Sequence, residues 1–148
     1  MTVRRATEAD TPAILSMMHA MHIDGSFADV PISEEACLET LRGLTGDNGI
    51  ILVAEGEQGL YGFLLAQCFP YFFSRAKMVA DLAVWLNKDH RGGITAVRML
   101  SALSQWAALV GAREIYLGVS HNVDPERVGA LYERSGYTRL GGIYKKEL

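Results

Sequence analysis

The chain is poor in the features that would assign it quickly. It has two cysteines, Cys37 and Cys68, far apart and with no CxxC pair or Cys/His cluster. Neither a disulfide framework nor a metal site is expected, and a reducing cytoplasm suits such a sequence. No apolar run nears the roughly 20 residues needed to cross a bilayer. The opening MTVRRATEAD lacks the apolar stretch of a secretory signal. Basic residues are not in excess: a net charge of −3 leaves no electrostatic footprint for nucleic acid or an anionic membrane. Repeats, low-complexity tracts and interdomain linkers are missing, so one domain over residues 1–148 is expected, long enough for one sizeable core. A nucleotide-binding α/β domain is disfavoured, because no GxxxxGKS or GxxxxGKT occurs and the one glycine pair lacks the spacing of a dinucleotide fingerprint.

What is present centres on residues 78–106, MVADLAVWLNKDHRGGITAVRMLSALSQW. A short apolar run, 78–86, passes through a polar turn, 87–91, into Gly92 and Gly93. A long segment follows, apolar at Val97, Leu100, Leu103, Ala107 and Val110. The pattern reads as strand, glycine turn, helix. Such a turn offers free backbone N–H groups and the positive end of the helix dipole, which together suit a phosphate. Glycine tolerates positive φ there and admits the phosphate where a Cβ would block it.

Around this stretch, residues 2–6 read as an edge strand, and Thr7 with Asp10 as a helix start. A helix with Ile14, Leu15, Met17, Met18 and Met21 on its apolar stripe ends near Gly25. A second helix starts at Ser33. GIILVAE (49–55) and LYGFLLAQC (60–68) read as a hairpin across a turn at 57–59. EIYLGV (114–119) is another strand. Asp124-Pro125-Glu126 opens a last helix, and residues 137–148 read as a final strand pair or bent strand.

That order, with ADLAVWLNKDHRGGITAVRML and RVGALYERSGY, resembles the GNAT superfamily of N-acetyltransferases over nearly the whole chain. The resemblance implies an α/β fold: a mixed, mostly antiparallel central sheet of six to seven strands with helices on both faces. It implies acetyl-CoA as the acetyl donor, lying in a wedge between strands 78–86 and 114–119. The backbone of Val84 and Leu86 would pair with the pantetheine arm. Arg91, Gly92, Gly93, Ile94, Thr95 and Ala96 would cradle the pyrophosphate. The superfamily pattern there is Gln or Arg, two variable residues, Gly, one variable residue, then Gly or Ala. With Gly93 as the central glycine, His90 stands where Gln or Arg is usual and Thr95 where Gly or Ala is usual.

Acetyl transfer to an amine needs a neutral amine, an acid for the departing thiolate and polarisation of the thioester carbonyl. By resemblance, Tyr132 in LYERSGY is the acid, and a phenol pKa near 10 suits that task. Its bland alternative is a core tyrosine beside Leu131. Asp81 stands where relatives carry an acid that receives the amine proton through water; its bland alternative is an ion pair with Arg75 or Lys77. His19, His22 and the loop 26–31 would border an acceptor pocket. His121 and Asn122 follow the 114–119 strand, with Asn122 a speculative substitute for an asparagine usual at Pro125. The cluster Phe69, Tyr71, Phe72 and Phe73 would line that pocket, form a dimer contact or close the core. The reading is a cytoplasmic N-acetyltransferase acting on a primary amine of a small molecule or protein, with no nucleic-acid or membrane partner and a homodimer left open. The alternative is a non-catalytic acyl-CoA-binding module of the same fold.

Overall fold

The computed structural model describes residues 1–119 and 124–148. Strand β1 (Thr2–Arg5) leads through a 3-10 turn, Glu8–Asp10, into α1 (Thr11–Asp24), then α2 (Glu34–Gly43). Three long strands follow, β2 (Gly49–Gly56), β3 (Gly59–Pro70) and β4 (Lys77–Leu86). After them come α3 (Ile94–Leu109), β5 (Ala112–Tyr116) and α4 (Pro125–Arg134). The strands lie in chain order, antiparallel from β1 to β4 and parallel between β4 and β5. Among the described residues no helix is long and apolar enough to cross a membrane.

Alternation along the strands feeds two cores. Ile50, Leu52, Leu64, Ala66 and Val79 face α3, which contributes Met99, Leu100, Leu103 and Trp106. Val53, Phe63, Leu65 and Ala83 face α1 and α2, which contribute Ile14, Met17, Met18 and Leu41. Three register shifts interrupt the described pairings, one of them between Lys77 and Met78 where β4 meets β5, and the other two reorient side chains near the site. On β3, Tyr61 has no partner, because Ala54 pairs with Gly62 and Glu55 with Leu60. On β4, Leu82 has none, because Ala66 pairs with Asp81 and Leu65 with Ala83. An extra residue flips the side chains beyond it to the other face. Tyr61 is thereby turned to the α3 side, and beyond Leu82 it is Val84 and Leu86 that point there.

Among the described residues the sheet has five strands, not the six to seven expected. Residues 138–148 form no strand, and Leu140, Ile143 and Tyr144 are exposed. Gly141 and Gly142 split that segment into runs too short and too flexible to hold a pairing register. The fifth strand also ends earlier than expected, at Tyr116 rather than Val119.

Asp10 ties the first strand to the first helix. Its carboxylate accepts from Arg4 at 2.8 and 3.0 Å and from the Thr7 amide at 2.7 Å. These bonds, that of Arg4 foremost, hold the Asp10 carboxyl well below its ordinary 3.8. A depressed folded-state pKa stabilises above the unfolded value and is lost as pH falls toward the folded one. Asp10→Asn should therefore lower the melting temperature at pH 7 by more than at pH 3. An equal loss at both pH values would show that charge is not the cause.

Candidate active site

The site begins where β4 and β5 part. Their pairing runs from Lys77 opposite Ala112 to Ala80 opposite Tyr116, and stops. From Asp81 to Leu86, β4 keeps β3 on one side and has no strand on the other among the described residues. The Asn87 amide donates to the Tyr61 carbonyl on the β3 side at 2.8 Å. By alternation, the polar groups of Leu86 and Val84 face the open edge. That edge can bind an extended ligand through its main chain, as an added strand would. The Leu86 carbonyl is already engaged by Arg91 Nε at 2.8 Å.

Asp81 and Tyr132 converge at the mouth of this opening. The Gly118 amide donates to Asp81 Oδ1 at 3.0 Å, and the Tyr132 hydroxyl donates to the Gly118 carbonyl at 3.4 Å. Lys77, one of the ion-pair partners considered for Asp81, instead donates to the Val110 carbonyl at 3.4 Å. The Tyr132 ring packs against the α3 core and lies 5.9 Å from the ring of Tyr137. The core reading of Tyr132 is thus true of its ring, while its hydroxyl reaches the opening. Burial first, and then the Asp81 and Tyr137 charges, push the Tyr132 phenol well above its ordinary 10. It stays protonated throughout the neutral range, so its hydroxyl can donate to negative charge that develops beside it.

The glycine turn lies at the other end of the open edge. Gly93 caps α3, and among the described residues no side chain caps the helix start. The amides of Ile94, Thr95 and Ala96 lack an intrahelical partner by position. A Cβ placed on Gly93 would meet no described heavy atom within 4 Å. Gly92 differs: its φ is +84°, and a Cβ there would lie 2.1 Å from Arg127 Nη2. Arg127, on α4, was not singled out from the sequence; its only signal was a lone cation in the first turn of a helix otherwise opened by Asp124 and Glu126.

Both departures from the family pattern meet on one ring. The His90 imidazole stacks on Tyr61 with centroids 4.0 Å apart. The Thr95 hydroxyl lies 3.1 Å from the Tyr61 hydroxyl, and Thr95 is buried at 6% exposure. The Thr95 side chain therefore turns into the core, and the His90 ring packs on Tyr61. The bulge at Tyr61 is what brings that ring to the α3 side. Tyr61 was the other residue that sequence reasoning missed.

Helices α1 and α2 with the loop between them line a cleft of about 310 Å³ that includes Met18, Met21, His22, Phe27 and Cys37. His22 Nε2–H donates to the Val30 carbonyl at 2.7 Å, so one ring nitrogen holds the loop in place. His19 lines an adjoining hollow. The aromatic cluster is not among the lining residues. Phe72 and Phe73 stand exposed beyond the end of β3, and the Tyr71 hydroxyl donates to Glu114 on β5. His121 and Asn122 lie outside the described residues.

No protein-family model and no curated protein matches the sequence. Solved structures do. A transcriptional regulator from Bacillus halodurans C-125 matches with a TM-score of 0.77 and 19% identity over 99% of both chains. Glucosamine-6-phosphate N-acetyltransferase from Arabidopsis thaliana matches at 0.76 and 14%, over 99% of this chain and 97% of that one. AAC(6')-Iy, bound to the bisubstrate analogue CoA-S-monomethyl-acetylneamine, matches at 0.76 and 13%, over 99% and 98%. With strands parted at Ala80, a bulge at Leu82 and likeness of this breadth to acetyltransferases, the chain has the GNAT fold.

Proposed function

We propose that the protein is an acetyl-CoA-dependent N-acetyltransferase, moving an acetyl group to a primary amine of a small molecule or a protein by direct attack. One observation carries this reading. Asp81 and Tyr132, distant in sequence and on different elements, meet at Gly118, where β4 leaves β5. The fit to the donor rests on three features: the unpaired edge of β4, the open space at Gly93 and the uncapped start of α3. The relative bound to a CoA analogue supports the same donor.

The donor supplies an activated acetyl thioester. The residues of this chain do the rest. Val84 and Leu86 offer main-chain groups that align the pantetheine arm. Arg91, Gly92, Gly93, Ile94, Thr95 and Ala96 surround the diphosphate. The amine nitrogen attacks the carbonyl carbon, the carbon–sulfur bond breaks, and the Tyr132 hydroxyl gives its proton to the departing sulfur. Asp81 receives the proton of the new ammonium through water, while its Oδ1 stays on the Gly118 amide. The α1–α2 cleft, lined largely by apolar groups, takes the body of the acceptor.

CoA release from acetyl-CoA, followed with purified protein against a panel of amines, tests the reading. Release that rises with a particular amine supports it. Tight acetyl-CoA binding with no amine-dependent release would favour the acyl-CoA-binding module. No binding at all would contradict both.

A further inference from the structure

We propose that Arg127 clamps the diphosphate of the acyl donor, closing over Gly92 from α4. The inference deepens the acetyl-CoA reading and rests on it. The Arg127 guanidinium lies directly against the turn: a Cβ on Gly92 would meet Nη2 and lie 3.3 Å from Cζ of Arg127. The guanidinium is thus held against the turn from outside. Among the described residues it has no acidic partner. The nearest carboxylate in sequence, Asp124, accepts from the Arg127 backbone amide at 3.2 Å and serves as the cap of α4. Of the cations of the turn itself, Arg91 places Nε on the Leu86 carbonyl and Lys88 pairs with Asp24 at 3.4 Å. Among the described residues nothing engages the planar fork of Arg127, which can therefore make a bidentate bond to an oxyanion.

The position selects which phosphate. The open edge of β4 runs from Asp81 to Leu86 and ends at the turn. A pantetheine arm laid along it reaches its first charged group there, which is the diphosphate. The 3′-phosphate lies further out, beyond the ribose. One helix then grips the donor twice, with Arg127 at the diphosphate and Tyr132 beside the sulfur.

Calorimetric titration of the intact protein with CoA, 3′-dephospho-CoA and S-acetylpantetheine tests this, using the parent, Arg127→Ala and Arg127→Lys. Arg127→Ala should weaken CoA and 3′-dephospho-CoA alike by about tenfold, the scale of one charge-assisted hydrogen bond. S-acetylpantetheine, which carries no phosphate, should bind the parent and this variant equally. Arg127→Lys should recover part of the loss, since it keeps the charge without the fork. The proposal is overturned if Arg127→Ala binds all three ligands as the parent does. It is equally overturned if CoA weakens and 3′-dephospho-CoA does not, or if all three weaken together. Failure of the parent itself to bind CoA would instead remove the acetyl-CoA reading and this inference with it.

Discussion

Gly93→Val is expected to weaken acetyl-CoA binding by at least about a hundredfold, the lower end for the loss of two charge-assisted hydrogen bonds at roughly 1.5–3 kcal/mol each. The neighbouring glycines are predicted to fail for different reasons. Gly93 has an ordinary negative φ, −94°, and nothing among the described residues opposes a Cβ there. A branched side chain should leave the fold intact and fill the space in front of the amides of Ile94, Thr95 and Ala96. Gly92 is the conformational glycine, with φ +84° and the Arg127 guanidinium against it. Gly92→Ala should strain the turn and displace Arg127, so it should lower the melting temperature as well as the affinity. Measuring both quantities for both variants separates the roles. A Gly93→Val protein that melts like the parent and binds acetyl-CoA undiminished would place the phosphate elsewhere.

Tyr132→Phe is expected to lower turnover by at least about tenfold, the lower end of what a positioned acid contributes. Acetyl-CoA affinity should hold, because the ring and its packing against the α3 core remain. Burial and the nearby Asp81 charge raise the phenol above its ordinary 10, so the acid form persists through the neutral range. The parent should then gain activity as pH rises toward the pKa of the acceptor amine, with no falling limb below about pH 10 from loss of this proton. Equal turnover in the variant would remove Tyr132 from the acid role. A parallel fall in affinity and melting temperature would make it a core residue after all.

The sequence was most legible where local chemistry decides structure. The helix after Gly92 and Gly93 and the Asp124-Pro125 start of α4 formed as read, while the apolar stripe of α3 is buried at Leu100, Leu103 and Ala107 but leaves Val97 exposed. Local signals were least reliable where a partner was needed. Residues 137–148 alternate enough to read as strand, yet a strand requires a neighbour, and the glycine pair at 141–142 interrupts the run. The aromatic group at Phe69–Phe73 read as pocket, interface or core, and its place outside the α1–α2 cleft depends on the whole β3–β4 hairpin. The unusual His90 and Thr95 are explained by Tyr61, far from both in the chain, and then only because an inserted residue turns that ring over. Asp81 and Tyr132 were singled out through family resemblance, not periodicity. Their meeting at Gly118 required the register of β4 against β5, which no local pattern reveals.

The central claim is that the opening between β4 and β5, with the glycine turn at its end, receives an acyl-CoA. Calorimetric titration of the purified protein with acetyl-CoA, beside ATP and NAD, tests it most directly. The account predicts micromolar binding of acetyl-CoA, an interaction of about 8 kcal/mol, and no comparable heat from either nucleotide. Absence of acetyl-CoA binding would contradict it, and would reduce Gly92 and Gly93 to a structural turn in a fold kept without acetyl-transfer chemistry.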